Sequence, residues 1–250
     1  MLQPQITYQF KSPVWRLEID VLTKTIFAEI RDQADKKVSF SAISLDSGEL
    51  FFDDLHTEER WLTGIEAAYN GVLLLHNYQS EAGPVHKGLT AIDGPGNVLW
   101  RNFTHAFDHL SSNGPVVYDT RMQPRKLFLI DVTTGAMVRP YNSSIDPGLD
   151  NEIILPDEVL PGSLKHISLQ VEPFGNTIHY LEHNNFRIVS LHTFAEGTLQ
   201  QRLYIMSNAE IVYEDLLNSD IQKLQPEAFL LHKDKLIYLK DKSQLKVLNL

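Results

Sequence analysis

One phrase recurs three times along this chain. It reads Ala42-Ile43-Ser44-Leu45-Asp46-Ser47-Gly48-Glu49-Leu50-Phe51-Phe52, returns as Leu89-Thr90-Ala91-Ile92-Asp93-Gly94-Pro95-Gly96-Asn97-Val98-Leu99-Trp100, and returns again as Leu127-Phe128-Leu129-Ile130-Asp131-Val132-Thr133-Thr134-Gly135-Ala136-Met137-Val138. Each copy is an apolar strand ending in Asp, a tight turn containing Gly, and a second apolar strand. That is a β-hairpin, and hairpins recurring at long intervals specify a repeat architecture. In each turn the Asp is expected to accept backbone N–H bonds, the Gly to supply positive φ, and the aromatic that follows to pack between repeats.

The Asp-to-Asp intervals are 47 and 38 residues. A four-stranded propeller blade takes roughly 40–50 residues. Apolar residues elsewhere alternate or run on continuously, which is strand patterning. Three blades thread through residues 15–54, 61–102 and 107–139. Strand pairs resume at 166–171 with 177–182, at 187–194 with 200–207, and at 210–215. Asn184-Asn185 suits a two-residue type I′ turn, because Asn tolerates positive φ. The last hairpin, 227–232, 235–240 and 244–250, has three strands, and alternating Ile6-Thr7-Tyr8-Gln9-Phe10 suits the missing fourth. The expected fold is therefore all-β: a small β-propeller of five blades, or six if the 140–161 segment holds one, with the N-terminal strand closing the last blade. An open two-sheet arrangement is the competitor. A short amphipathic helix is expected over 215–224, from Leu216, Leu217, Ile221 and Leu224, and one helical turn between Leu55 and Tyr69.

The whole of 1–250 reads as a single domain, interrupted at 140–161 by an irregular stretch with four prolines and an acidic cluster at Asp146, Asp150, Glu152, Asp157 and Glu158. Ile153-Ile154-Leu155 in its middle reads as one short strand. The oxygen donors of 146–152 lack EF-hand spacing, so a solvated acidic loop is expected there rather than a Ca²⁺ site.

Composition narrows the function classes. Lys and Arg number 22 against 32 Asp and Glu, a net charge of −10. That balance opposes nucleic acid and anionic membrane as partners, since both need clustered positive charge. Lys36-Lys37 and Arg125-Lys126 read as solvated turn residues. The absence of cysteine removes disulfides, thiolate nucleophiles and cysteine-based metal sites. No run approaches the roughly 20 apolar residues of a membrane-spanning helix. No signal peptide is evident, so a cytoplasmic location is expected. No nucleophile elbow, phosphate loop or dinucleotide fingerprint occurs.

The three phrases resemble the repeat of quinoprotein-alcohol-dehydrogenase-like β-propellers, also seen in outer-membrane assembly propellers: an apolar strand, Asp, a turn, Gly, and a strand ending near Trp. Asp93, Gly96 and Trp100 match best. Asp46 and Gly48 match with Phe52 in place of Trp, and Asp131 and Gly135 match with no closing aromatic. The resemblance covers roughly 40–140 and implies a scaffold. The chain also resembles uncharacterised, domain-of-unknown-function propellers of Bacteroidetes-type bacteria, which bring no activity with them. The quinone enzymes are longer, exported and calcium-dependent, and carry a vicinal cysteine pair that this chain lacks, so their cofactor, PQQ, is not expected here.

Two kinds of function remain. In the first, the chain is a non-catalytic binding or interaction scaffold. A protein or peptide partner, or a small-molecule ligand, would sit on loops at one end of the channel. The binding-face candidates come from the connections 53–61, 101–109 and 139–141 and from a long loop read at 76–86: His56, Glu59, Trp61, His76, Tyr78, His86, Arg101 and Tyr141. Long loops rich in aromatics and ionisable groups are characteristic of binding faces. In the second, a divalent metal held in the channel mouth by His76, His86, His105 and His109 serves a hydrolase or lyase, with Asp108 or Glu59 as base. His105, Asp108 and His109 are the named ligand candidates for Zn, Fe or Mn, because a turn in a connection could bring two i, i+4 imidazoles together. His179 and His183 have the same spacing on a strand, where they sit roughly 13 Å apart, and read as structural.

Overall fold

The computed structural model describes residues 2–80, 83–164, 171–208, 210–226 and 228–250. The chain divides into two compact units, residues 12–151 and residues 1–11 with 152–250.

The unit 12–151 holds three four-stranded antiparallel sheets, each a meander in chain order. The chain first lays down β1 (Ile6–Gln9), which belongs to the other unit. The first sheet is then β2 (Val14–Asp20), β3 (Thr25–Asp32), β4 (Lys37–Ser44) and β5 (Leu50–Leu55). The second is β6 (Thr63–Tyr69), β7 (Val72–Ser80), β8 (Gly83–Ile92) and β9 (Val98–Asn102). The third is β10 (His105–Ser111), β11 (Gly114–Asp119), β12 (Leu127–Ile130) and β13 (Met137–Pro140). Phe27, Phe40 and Phe52 of the first sheet pack against Ile65, Leu73, Leu75 and Ile92 of the second. Covered on both faces, the central strands read as near-continuous apolar runs.

The repeat works in the turns largely as its residues suggest. Asp93 Oδ1 accepts the Asn97 amide, and Asp131 Oδ1 accepts those of Thr133 and Thr134. In the first copy the Asp46 carboxylate takes Lys24 Nζ at 2.8 Å, and Ser44 Oγ accepts the Ser47 amide. The aromatic of one copy covers the glycine of the next. Phe52 lies against Gly96, and the indole of Trp100 against Gly135, with Trp100 Nε1 donating to Val132 O at 2.8 Å.

The other unit holds two five-stranded sheets. In one, β15 (Asp157–Val159), β16 (Ile178–His183), β17 (Phe186–Ala195), β18 (Thr198–Ser207) and β19 (Glu210–Asn218) follow chain order. Asn184 has φ 52°, as the tight β16–β17 turn requires. In the other, the order is β1, β22 (Gln244–Asn249), β21 (Lys235–Lys240), β20 (Leu230–His232) and β14 (Ile153–Ile154). The N-terminal strand does complete the last hairpin, Ile6 opposite Val247, and β14 adds a fifth strand.

Several sequence expectations are corrected. There is no helix at 215–224. The strand β19 runs on through Leu216 and Leu217 to Asn218, with Asp215 and Leu217 buried two apart, a strand period rather than a helical one. No helical turn lies between Leu55 and Tyr69, because β5 and β6 take both ends of that stretch. Among the described residues the one helical turn is a 3₁₀ turn at Pro161–Leu164, and no helix is long and apolar enough to cross a membrane. The strand expected at 166–171 falls almost entirely outside the described residues. Asp146 is not a solvated acid. It is fully buried, paired with the Arg139 guanidinium through both oxygens, and bonded to Asn113 Nδ2 and the Asn142 amide. Arg125 also does more than face solvent, since its guanidinium lies 3.4 Å from the Tyr118 ring centroid.

Candidate functional site

A buried polar cluster lies in the unit 12–151, where β2 and β3 meet β6, β7 and β8. Its geometry starts with two irregularities of register. Along β6, Ile65 opposes Leu75 and Ala67 opposes Leu74, so Glu66 is the extra residue of a β-bulge. Bulges re-aim side chains and recur beside functional sites. The first strands of the other two sheets carry the same device, with Trp15 extra in β2 and Asp108 extra in β10.

The second irregularity is at Gly88. His76 opposes Leu89, but Asn77 opposes Lys87 and Tyr78 opposes His86, so Gly88 is skipped. A one-residue slip moves every later side chain to the opposite face. Without it His86 would oppose Gln79 and face away. With it His86 joins His76 and Tyr78 on one face. Gly88 has φ 74°, a left-handed conformation natural to glycine.

The result is a compact group. The imidazoles of His76 and His86 stack, with centroids 3.5 Å apart and planes 8° from parallel. Glu66 Oε2 lies 2.8 Å from His86 Nδ1 and 3.0 Å from His76 Nδ1. The ring of Tyr78 stands edge-on to both, at 4.6 Å and 5.2 Å. His76 is 2% exposed, and the geometry leaves both of its ring nitrogens without a hydrogen bond. Gly64 makes room for it: a Cβ there would lie 3.2 Å from His76 Cε1 and Nε2 and 2.9 Å from Glu29 Oε2. Burial pushes the Glu66 carboxyl up, but the two imidazoles outweigh burial and hold it below its ordinary value.

The first sheet clamps the bulge. Arg16 donates to Ile65 O at 2.9 Å and to Glu66 O at 3.1 Å, and Glu29 Oε2 accepts the Ile65 amide at 2.8 Å. Arg16 also reaches Glu18 Oε2 at 2.9 Å; burial nonetheless raises the Glu18 pKa. Buried Glu29 pairs with buried Arg31 at 2.6 Å. Arg31 donates to the carbonyls of Trp61 and Thr63, and its guanidinium lies 4.8 Å from the Trp61 ring centroid, 5.8 Å from Trp15 and 6.0 Å from Tyr78.

The candidates named from sequence fall into three places. Trp61, His76, Tyr78 and His86 come together around Arg31 and Glu66. The reading of 76–86 as a loop is corrected: β7 runs on to Ser80 and β8 begins at Gly83, so these side chains project from paired strands. Glu59 and Arg101 line a separate cleft of about 330 Å³ with Glu58 and Phe103. There Arg101 pairs with Glu58 at 2.8 Å, and Glu59 Oε1 caps the amides of Trp61 and Leu62. His56, beside them in sequence, places Nδ1 3.1 Å from Val38 O and Nε2 3.4 Å from Asp54 Oδ1.

His105, Asp108 and His109 lie on β10, not in a connection, which corrects the turn expected to unite them. His105 opposes Asp119, and burial lowers its pKa; His109 Nδ1 takes Asp108 Oδ2 at 2.8 Å, and its ring stands edge-on to Tyr141 at 4.9 Å. Among the described residues, the three ligand-bearing side chains whose donor atoms all meet within 4.8 Å are Glu66, His76 and His86. Sequence reasoning missed Glu66, Glu29, Arg31 and Trp15. A signal was present for three of them: Glu66 interrupts the apolar run Ile65 to Ala68, and Glu29 and Arg31 interrupt the run begun by Thr25. Charges inside a buried strand need partners.

A family model described as a domain of unknown function (DUF4905) matches residues 19–100, which take in the first two copies of the repeat. No curated protein matches the sequence. Among solved structures, BamB from Moraxella catarrhalis aligns over 96% of this chain and 86% of its own, at 9% identity and a TM-score of 0.39. A bifunctional GH43-CE protein of Bacteroides eggerthii aligns over all of this chain at 11% identity and a TM-score of 0.29; the chain spans 36% of that protein.

Proposed function

We propose that the five sheets are the blades of a small β-propeller and that the chain is a binding scaffold for a protein or peptide partner. The observation that carries this reading is the aromatic surface around Arg31. Trp15, the bulge residue of β2, is 64% exposed, and with Trp61 and Tyr78 it surrounds a guanidinium that Glu29 and two carbonyls hold in place. Trp and Tyr held at a surface, here exposed Trp15 beside half-buried Trp61 and Tyr78, are residue types that dominate interface energetics. Their cost of ordering has been met in folding, which favours affinity. Phe103, 67% exposed, offers a further apolar contact at the separate cleft.

The test is affinity capture with the full chain as bait, followed by direct binding measurements on the partner recovered. Trp15→Ala and Trp61→Ala should each weaken binding at least about tenfold. The Trp61→Ala variant keeps the main-chain carbonyl that receives Arg31, so the frame is spared. A partner bound equally well by both variants overturns this surface as the site.

A second reading, a metal-dependent hydrolase or lyase, is favoured by one observation: a carboxylate and two imidazoles converge beside the same aromatic surface.

A further inference from the structure

We infer that Glu66, His76 and His86 form a three-ligand site for a divalent transition metal of the Zn²⁺ class. The inference stands whatever the aromatic surface binds.

Convergence is the first ground. Both Nδ1 atoms face one carboxylate oxygen, at 2.8 Å and 3.0 Å, and all three donor atoms lie within 4.8 Å of one another. An ion bound at about 2.0–2.2 Å from each lies in the plane of both rings, so binding turns the two imidazoles out of their parallel stack.

The second ground is the state of His76. A buried polar atom normally has a partner, and leaving one unmade is costly. His76 is 98% buried, and neither ring nitrogen makes a hydrogen bond. Its Nδ1 lies 3.0 Å from Glu66 Oε2, and an ion along the Nδ1 lone pair would give this buried nitrogen a partner.

Charge is the third. Glu18, Glu29 and Glu66 face Arg16 and Arg31 across this cluster. Three carboxylates stand against two guanidiniums around the imidazoles, an acidic balance that suits a bound cation.

Donor chemistry then selects the ion. Two imidazoles and a carboxylate are a nitrogen-rich, borderline set that suits Zn²⁺ and its transition-metal neighbours, whereas Ca²⁺ and Mg²⁺ prefer all-oxygen sites. Two imidazoles with one carboxylate is also a donor set of open zinc sites, in which the fourth position takes water or ligand. His86 is 36% exposed at its side chain, so the open position faces solvent from its side. The frame is set beforehand: Arg16 and Glu29 hold the Glu66 bulge, and the Gly88 slip aims His86.

The deciding experiment is calorimetric titration of Zn²⁺ into tag-free, EDTA-stripped full chain, for the wild type and for His86→Ala, Glu66→Gln and His109→Ala. The expected result is one Zn²⁺ per chain, with affinity at least about tenfold weaker in His86→Ala and in Glu66→Gln and unchanged in His109→Ala. Circular dichroism of each stripped variant reports folding. Independent of any variant, Co²⁺ added to the wild type should give visible d–d absorption of a low-symmetry nitrogen/oxygen site, bleached by one equivalent of Zn²⁺. Absence of stoichiometric Zn²⁺ binding by the wild type, or binding that survives both ligand substitutions in folded protein, overturns the site. In that event the cluster is a hydrogen-bonded carboxylate with two imidazoles.

Discussion

The rings of His76 and His86 stack 3.5 Å apart, although they project from different strands. The contact depends on a single skipped residue, Gly88, because the slip in register turns His86 onto the face of His76. Gly88→Ala should therefore act twice. Its φ of 74° costs a residue with a side chain about 1–2 kcal/mol, and the new Cβ would stand 3.1 Å from Asn102 O, a backbone atom with little freedom to move. Urea denaturation should show the loss of stability, and Zn²⁺ titration of the folded fraction should show weakened binding. Unchanged stability would mean that the β7–β8 register does not depend on this residue.

Arg16 is the clamp on the Glu66 bulge, holding the carbonyls of Ile65 and Glu66 from the neighbouring sheet. Arg16→Met keeps the apolar stem and removes the donors. The expected loss is about 1–2 kcal/mol, since hydrogen bonds from charged groups contribute more than neutral ones. It should appear as a lowered urea midpoint with unchanged slope. A midpoint equal to wild type would show that the bulge needs no clamp.

Trp100 and Gly135 tie the second repeat to the third. The Gly135 φ is 70°, and a Cβ there would stand 2.6 Å from the Trp100 ring. Trp100→Phe should cost about 1 kcal/mol, the net value of the lost bond to Val132 O. Gly135→Ala should cost more, and much less in a Trp100→Ala background, because the steric part of its effect needs the indole. A four-variant thermal denaturation cycle measures this coupling; simple additivity would refute the contact.

Asp146 should make stability acid-sensitive in a defined window. The Arg139 guanidinium holds its carboxyl well below the ordinary 3.8, so folding favours the ionised form. Its contribution is fully present above pH 3.8 and is lost as the pH falls through the depressed folded value. The melting-temperature gap between wild type and Asp146→Asn should be constant from about pH 7 to pH 5 and should narrow below the ordinary carboxylate pKa. A gap independent of pH down to about pH 2 would show that the charge is not the source.

Much of the strand map was legible in the sequence for local reasons. The hairpin at Asp93–Gly96 and the pairing partner of Ile6 to Gln9 follow from period-two alternation and turn chemistry. Each signal sits within a few residues of the element it predicts. Leu216 and Leu217 misled because two adjacent leucines fit a helix as well as a strand, and only pairing with β18 separates the two. The stretch 76–86 looked like a loop because its polar residues broke the apolar pattern. His76, Tyr78 and His86 are drawn into the cluster, while Gln79 and Ser80 between them face solvent.

The sequence by itself determined the class of architecture: antiparallel hairpins closed by Asp–Gly turns, with an aromatic packed between repeats. Only the tertiary structure decided which ionisable groups meet. Glu66 joins His76 and His86 through a bulge in β6 and a slip at Gly88, and both are choices of register between strands. Register is settled by what neighbouring strands and sheets hold in place, here Arg16 and Glu29 against the Ile65 and Glu66 backbone. A spacing such as His105 to His109 carries no such information. One strand with one bulge separates two imidazoles that a helical turn would have joined.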